Sequence, residues 1–570
     1  MATAAQTDGR TSAHQSEMVD CLVLVKRLAS EPDMIARMIW SELESFTEDL
    51  SLTGANQPHG FDKPDAVEMQ ANHGMSGAIS LTSIVLGTAL KEAGISFAII
   101  DDDNIFEEYR DIAVAECQAA RVIALSTTYV TSRGELREFL ELVREVAPDT
   151  PIILGGQGLQ ALTLDPFSEK DAKIFDHADV LMFGEADDIF GTLVQKVRDG
   201  ESLEGLDGVM YRKDGVWEGS KRPVSVDLEK VPIPDYSLID EYRVNGNRLE
   251  AGVYRPTYAS LEEGRGCAFK CRFCSYHVYS GFRRKSPERV VKELQAMKEA
   301  GFSSASFVGA EFLAPIKHST KVFEAIRDSG LEMSLWPYAR LDLLARHPDM
   351  IPLLAEAGID NITFGMESGD ETVLTNMKKY YRVDEMVEGA KLLKKSGISV
   401  TSSVIIGYPG ETPETVKKTT RALIDGEFDY IFLHPLGIVP DTPLWHLSEE
   451  YGIHMSASGI WSHNTMSLHE IPGHVRDMVI ELTEKSRGIL INILRNHSVG
   501  FVQPTSEDYD ERLDAVTLKI QKIISECWQK GELSQDRRDE LWADLMGTAN
   551  QLPKRLKAHW SETGAVQAAE

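Results

Sequence analysis

Cysteine is scarce in this chain: there are six in 570 residues, three clustered and three scattered as Cys21, Cys117 and Cys527. So few thiols in so long a chain exclude a disulfide framework. The scattered three read as structural or incidental, with Cys21, inside the apolar run CLVLV, as a small buried hydrophobe. Long apolar runs are missing as well, and none reaches the length that spans a bilayer. The opening MATAAQTDGRTSAHQSEM has no basic region followed by an apolar core. Residues 1–16 are therefore expected to be a disordered lead-in, not a signal peptide, and the protein to be cytoplasmic. Positive charge is also short: 59 Lys and Arg stand against 89 Asp and Glu, a formal net charge of −30. A surface this acidic repels phosphate backbones, which argues against a nucleic-acid substrate. The one basic cluster, Arg283-Arg284-Lys285, reads as a solvated corner between a strand and a helix.

What is present is alternation. A chain of this length makes several domains as a soft prior. Over 17–225, apolar runs at 21–25, 97–100, 122–125, 151–154 and 179–183 alternate with helical patterns at 80–94, 135–146 and 187–200. Gly94 and Gly200 stand where helices should stop. Continuous apolar strands between amphipathic helices predict a parallel sheet covered on both faces, a doubly wound, Rossmann-like α/β domain. The stretch 26–79 is long for one connection and is expected to hold a helix near 33–47 and a loop near the site. A linker marked by Pro223, Pro232 and Pro234 is expected over roughly 201–255, with 226–255 outside the first domain.

A second pattern fills 256–440. Strands are predicted at 257–264, 304–309, 332–339, 361–367, 399–407 and 430–436, each followed by a helical pattern. The first helix is well marked: Ser286 as N-cap, Pro287 at the first position, Val290, Val291, Leu294 and Met297 on one face, and Gly301 at its end. Six βα units predict a partial (β/α)6 barrel of TIM type, since eight are needed to close one. Over 441–570 the pattern turns mainly helical, with helices at 475–498, 507–530 and 534–559 and a frayed SETGAVQAAE.

The segment EEGRGCAFKCRFCSYH, 262–277, directly follows the first barrel strand, on the face where such barrels carry their chemistry. Cys267, Cys271 and Cys274 stand in C-x3-C-x2-C spacing. Three thiolates so spaced can hold three corners of one 4Fe–4S cubane and leave the fourth iron open to a chelating substrate. Gly264 and Gly266 permit a tight backbone path around it. The competing reading is zinc with His277 as fourth ligand, but this spacing is not a common zinc pattern and there is no second C-x2-C knuckle.

This motif, with Phe273 as the aromatic before its third cysteine, resembles the signature of radical S-adenosylmethionine (SAM) enzymes, and the resemblance extends over about 255–440. It implies SAM contacts at Arg340 after the third strand, at Gly365-Met366-Glu367-Ser368-Gly369 after the fourth, and at Val404-Ile405-Ile406-Gly407 with Pro409-Gly410-Glu411 after the fifth. Glu367 is the expected partner of the SAM amino group. Such enzymes pass one electron from the cluster to SAM and use the resulting 5′-deoxyadenosyl radical to abstract hydrogen. An electron donor such as flavodoxin or ferredoxin is implied.

A Rossmann-like domain ahead of such a barrel resembles the cobalamin-dependent (class B) radical SAM methyltransferases. The residues in question all follow strands: Ser126-Thr127-Thr128, Gly155-Gly156, and Phe183-Gly184-Glu185-Ala186-Asp187. Open α/β sheets bind ligands at those carboxyl ends. The chain has no Asp-x-His-x-x-Gly motif; the nearest approach is Asn72-His73-Gly74. Cobalamin is therefore expected base-off, without an imidazole from that motif on cobalt. The implied function is transfer of a methyl group from SAM, via methylcobalamin, to an unreactive carbon or phosphorus of a small-molecule or natural-product substrate. Alternatives within the resemblance are a non-methylating ring-forming or rearranging enzyme and a polar, indole-type methyltransferase. A tRNA methylthiotransferase would need a second three-cysteine cluster near the N-terminus, where only Cys21 and Cys117 occur. A non-enzymatic cobalamin sensor leaves the cysteine motif unexplained. Trp445, His446, Trp461 and His463, beyond the sixth strand, either line a substrate pocket or serve packing and surface.

Overall fold

The computed structural model describes residues 18–26, 80–102, 110–128, 130, 133–162, 164–238, 258–456, 460–485, 507–531 and 533–549. The expected helix near 33–47, Asn72-His73-Gly74, most of the expected linker beyond 238 and both chain ends lie outside these residues. The chain divides into two compact units, the first formed mainly by residues up to Val253 and the second mainly from Tyr254 onward.

The first unit is a seven-stranded sheet. Its parallel strands are β1 (Cys21–Lys26), β2 (Phe97–Asp102), β3 (Ile123–Ser126), β4 (Ile152–Gly155) and β5 (Val180–Met182). β1 is apolar from Cys21 to Val25 because both of its faces are covered: Cys21, Val23 and Val25 pack into one core cluster, Leu22 and Leu24 into the other. The order β2-β1-β3-β4-β5 reverses direction at β1, which puts the sheet's switch point at the carboxyl ends of β1 and β3. The helices Leu81–Glu92 and Phe190–Asp199 end before glycines in the left-handed region, Gly94 at φ 68° and Gly200 at φ 66°.

Part of the expected linker is sheet. β6 (Val209–Lys213) and β7 (Val216–Gly219) form a hairpin that adds to β5 antiparallel. Val224 then bridges Gly184, so the prolines 223, 232 and 234 mark a strap along the sheet's end, part of the first unit.

The second unit carries six parallel strands: β8 (Tyr258–Leu261), β9 (Ser304–Phe307), β10 (Ser334–Trp336), β11 (Asn361–Glu367), β12 (Ser399–Ile406) and β13 (Tyr430–Pro435). They pair in sequence order, with bridges Leu335–Ile359 and Tyr338–Thr363 joining the β10 and β11 halves. Among the described residues no ladder returns from β13 to β8, so the barrel is partial. The helix Pro287–Glu299 starts as expected, the Ser286 side chain accepting from Arg289 N–H at 3.2 Å. Its inner face differs from expectation. Val291 is half-buried, and Glu293 is fully buried between Lys285 at 2.7 Å and Arg289 at 2.6 Å. Two of the three residues of the basic corner are likewise not solvated: Lys285 is bound by Glu293, and Arg284 reaches Glu263 at 2.8 Å and the Ala314 carbonyl at 2.7 Å. Two buried carboxylates from other elements take up these cations, which the local sequence does not show. Helices Ile471–Glu484, Glu507–Lys530 and Gln535–Ala549 follow the barrel.

Candidate functional site

In the second unit the cysteine loop leaves β8 through a short ladder, Gly264–Arg265 against Arg283–Arg284. Gly266 turns it at φ 69°, where an added Cβ would lie 2.4 Å from the Ser280 carbonyl oxygen. Cys271 is buried; Cys267 and Cys274 are half-buried. Cys267 Sγ accepts from Phe269 N–H at 3.4 Å. The loop is anchored through Arg272. Its N–H donates to the Met377 carbonyl at 2.9 Å, its carbonyl accepts from Leu444 N–H at 2.8 Å, and its guanidinium donates to Tyr451 Oη at 2.6 Å. Among the described residues no three His, Cys, Asp or Glu side chains converge on one point. His277, half-buried, has an Nδ1 without a hydrogen-bond partner.

Around the loop stand side chains from the carboxyl ends of the strands. Arg340, after β10, lies 4.0 Å over the Phe269 ring and 4.7 Å over Tyr381, and Asp342 holds its guanidinium at 3.0 and 3.3 Å. Phe273 meets Tyr408 edge to face at 6.3 Å. Glu367 ends β11 at φ 60°, the left-handed region, at a register shift in the ladder to β12. It is buried and bound to Lys379 Nζ at 2.8 Å, a partner the sequence reading did not find. Lys379 also donates to the Gly365 carbonyl at 2.7 Å. Burial opposes its charge, yet the Glu367 carboxylate, together with Tyr381 and Cys271, overcomes burial and holds Lys379 protonated well above its ordinary value. Ser368 is fully buried, near Thr419, which also accepts from Gly369 N–H at 2.8 Å.

Two further carboxyls stand here: Glu311, which was missed because it reads as an ordinary strand-end charge, and Glu411, which the resemblance had placed among the SAM contacts without showing its burial. Glu311, just past β9, is buried, accepts from Leu313 N–H at 2.7 Å, and is pushed by burial up to about 7. Glu411 is buried, accepts from Gly407 N–H at 2.6 Å, and is pushed by burial up to about 8. Gly407 itself, at φ 92°, packs against Trp461. Trp461 and His463 are thus brought to the barrel end. Trp445 and His446 lie in a short helical turn, Pro443–His446, with Trp445 37% exposed.

In the first unit, Ser126, Thr127 and Thr128 follow β3 beside Gly155 and Gly156 of β4. Thr127 N–H donates to the Gly155 carbonyl at 2.7 Å, and Ser126 Oγ lies 3.0 Å from Thr128 Oγ1. The glycines differ in what demands them. Gly156, at φ 104°, would put a Cβ 2.9 Å from Thr128 N, and Gly184, at φ 90°, would put one 2.3 Å from the Val224 carbonyl oxygen. Both are required by the chain's own packing. Gly155 is not: a Cβ there meets nothing nearer than 3.5 Å. Glu185 accepts from Val226 N–H at 2.9 Å. The strand ends thus present small hydroxyl and bare backbone groups, a surface that fits a large flat ligand.

Comparison with known proteins bears on both units. Residues 262–423 match the Radical SAM superfamily. This stretch is a radical SAM domain. An uncharacterized methyltransferase of Pyrococcus horikoshii is 29% identical over 48% of this chain and 58% of its own length. The hopanoid C-2 methylase of Rhodopseudomonas palustris is 26% identical over 53% of each. The chain therefore spans only a little over half the length of these curated relatives. The fold as a whole resembles the radical SAM methyltransferase TsrM of Kitasatospora setae, solved with cobalamin and a [4Fe–4S] cluster bound. The TM-score is 0.57 over 94% of this chain and 99% of that one, at 16% identity. Among the described residues no helix is long and apolar enough to cross a membrane.

Proposed function

We propose that this protein is a cobalamin-dependent radical SAM methyltransferase acting on an unreactive carbon of a small molecule. The observation that carries the reading is the cysteine loop at the carboxyl end of β8, in one chain with a doubly wound unit whose strand ends are glycine, serine and threonine. Cys267, Cys271 and Cys274 would hold a 4Fe–4S cluster; Ser126, Thr127, Thr128, Gly155, Gly156, Gly184 and Glu185 would border cobalamin. When bound, the cluster supplies the electron that cleaves SAM, and cobalamin supplies a metal that relays methyl groups. The remaining work falls to the chain.

Phe273, Arg340, Glu367, Ser368 and Gly407 form the SAM-binding set of this proposal. Arg340 is fixed by Asp342 and by the Phe269 ring before any ligand arrives, so little orientation entropy is left to lose. Glu367 is already matched by Lys379, whereas Glu311 and Glu411 are buried carboxyls at the barrel end with no ion pair among the described residues, and of the two Glu311 feels the nearby Arg340. A carboxyl half-neutral at pH 7 gains its charge when a cation enters, so Glu311 suits the SAM ammonium. Phe269, Phe273 and Tyr408 place three rings beside the site. A reduced flavodoxin or ferredoxin is the proposed electron source.

The test is anaerobic incubation of reconstituted protein with deuteromethyl-SAM and cell extract, read by mass spectrometry. A product carrying the labelled methyl, with S-adenosylhomocysteine and 5′-deoxyadenosine in near-equal amounts, is expected. Deoxyadenosine without a labelled product would overturn methyl transfer and leave ring formation. Homocysteine product without deoxyadenosine would indicate polar methylation.

A further inference from the structure

The segment after the barrel is stitched to two of its strand ends. Trp461 Nε1 donates to the Leu436 carbonyl at 2.8 Å, just past β13. His463 Nε2 lies 2.8 Å from the Gly407 carbonyl oxygen, just past β12. A carbonyl only accepts, so Nε2 carries the proton and Nδ1 is left as an acceptor, which Thr465 N–H approaches at 3.3 Å. Thr465 Oγ1 in turn accepts from Gly410 N–H at 3.0 Å. The two rings stack in parallel, 5.2 Å apart with planes 7° from each other, and Trp461 is buried.

These contacts converge on one residue. The Gly407 carbonyl is held by His463 and its N–H by Glu411 at 2.6 Å. Its α-carbon faces the indole so closely that a Cβ would sit 2.4 Å from Trp461 Cη2. Glycine has the widest conformational freedom of any residue, and Gly407 is in the left-handed region at φ 92°. Simple apolar packing would fill the space beside it but would not fix the direction of its carbonyl. A stacked, singly protonated imidazole does.

We infer that His463, braced by Trp461, is a positioning residue for SAM: it locks the Gly407 peptide in the orientation that meets the ligand. The inference rests on the proposed function, in which Gly407 contacts SAM. A peptide ordered in advance costs less to order on binding, so the effect belongs in SAM affinity more than in the chemical step.

The experiment measures the dissociation constant of radiolabelled SAM by equilibrium dialysis on the anaerobically reconstituted full chain, with iron content and melting midpoint alongside. His463→Ala is expected to weaken SAM binding roughly five- to tenfold, the worth of one neutral hydrogen bond and its ordering. Iron content and midpoint should stay near those of the parent protein. His463→Gln, whose amide can donate where Nε2 does, should recover most of the affinity. Trp461→Phe keeps the apolar contact, loses the Leu436 bond and should give a smaller loss. Parent protein that binds SAM, with His463→Ala binding it equally well, overturns this inference alone. A loss that Gln does not recover and that comes with loss of iron also overturns it, since the defect is then general. Parent protein that binds iron but no SAM overturns the proposed function, and this inference with it.

Discussion

Glu411 offers a quantitative check on the barrel end. The side chain is 1% exposed, and the groups acting on it are burial, the N–H groups of Gly407 and Tyr408, and the like charge of Asp370. No cation is among them. Burial prevails and the carboxyl is pushed from 4.5 up to about 8. The native state thus keeps a proton that the unfolded chain releases near its ordinary value. Stability from this group is fully present below the unfolded value and is lost as pH rises through the folded one, at about 1.4 kcal/mol per pH unit. Across the whole window the loss is on the order of a few kcal/mol. Glu411→Gln places a neutral near-isostere there, whose amide oxygen can still accept from Gly407. Melting midpoints of parent and variant, measured from about pH 5 to about pH 9, should nearly coincide at the acid end, diverge as pH rises toward about 8 and run parallel beyond it, the variant being the more stable. Differences between the two curves are the quantity to read. Glu311, pushed up to about 7, contributes in the same direction in both proteins, and Glu526, lowered to about 2 by Arg537, contributes a stability lost only in strong acid. Curves parallel over the whole range would show that Glu411 is ionised in the native protein and would refute the reasoning.

Replacing Cys267, Cys271 and Cys274 together by alanine should remove iron from anaerobically purified protein while far-ultraviolet circular dichroism stays unchanged, because the cysteine loop lies outside the strand ladders that build the barrel. Gly155→Ala should melt like the parent protein, since its Cβ meets nothing nearer than 3.5 Å. Gly155→Trp should fold but fail to take up cobalamin, measured as corrin absorbance after desalting. Uptake at parental levels would remove Gly155 from the cobalamin surface.

Much of this architecture was legible because its signals are local. An apolar run such as CLVLV, without polar alternation, already says that both faces of a strand are covered, and the structure fills both. The cysteine spacing and its place after β8 are equally local. What was hidden depends on elements meeting at a distance. Arg284 and Lys285 read as solvent-facing until Glu263 and Glu293 arrive from a strand end and a helix. Glu367 reads as a free acceptor until Lys379, twelve residues on, folds back onto it. Glu311 and Glu411 gain their character from burial alone, which no residue pattern around them announces. His463 stood out in the sequence beside Trp461, as pocket lining or as packing, but only the Gly407 carbonyl shows what it holds. The hairpin of β6 and β7 was missed because its outer strand, Val-Trp-Glu-Gly, is short and largely exposed, with no apolar face to declare it.

That hairpin also settles a colloidal question. β5 is Val-Leu-Met, fully buried, and as the last strand of a parallel sheet it would present an apolar edge with unpaired backbone groups, a template for joining the sheets of other molecules. β6 covers that edge and hands it outward to β7, four residues long, carrying Glu218 and ending in Gly219 at φ 102°. Such an edge recruits a neighbour poorly. Residues 209–219 are thus not spare connection: they cover the apolar edge of β5, and a shortened version of the chain that trims them would leave that edge's backbone groups unpaired.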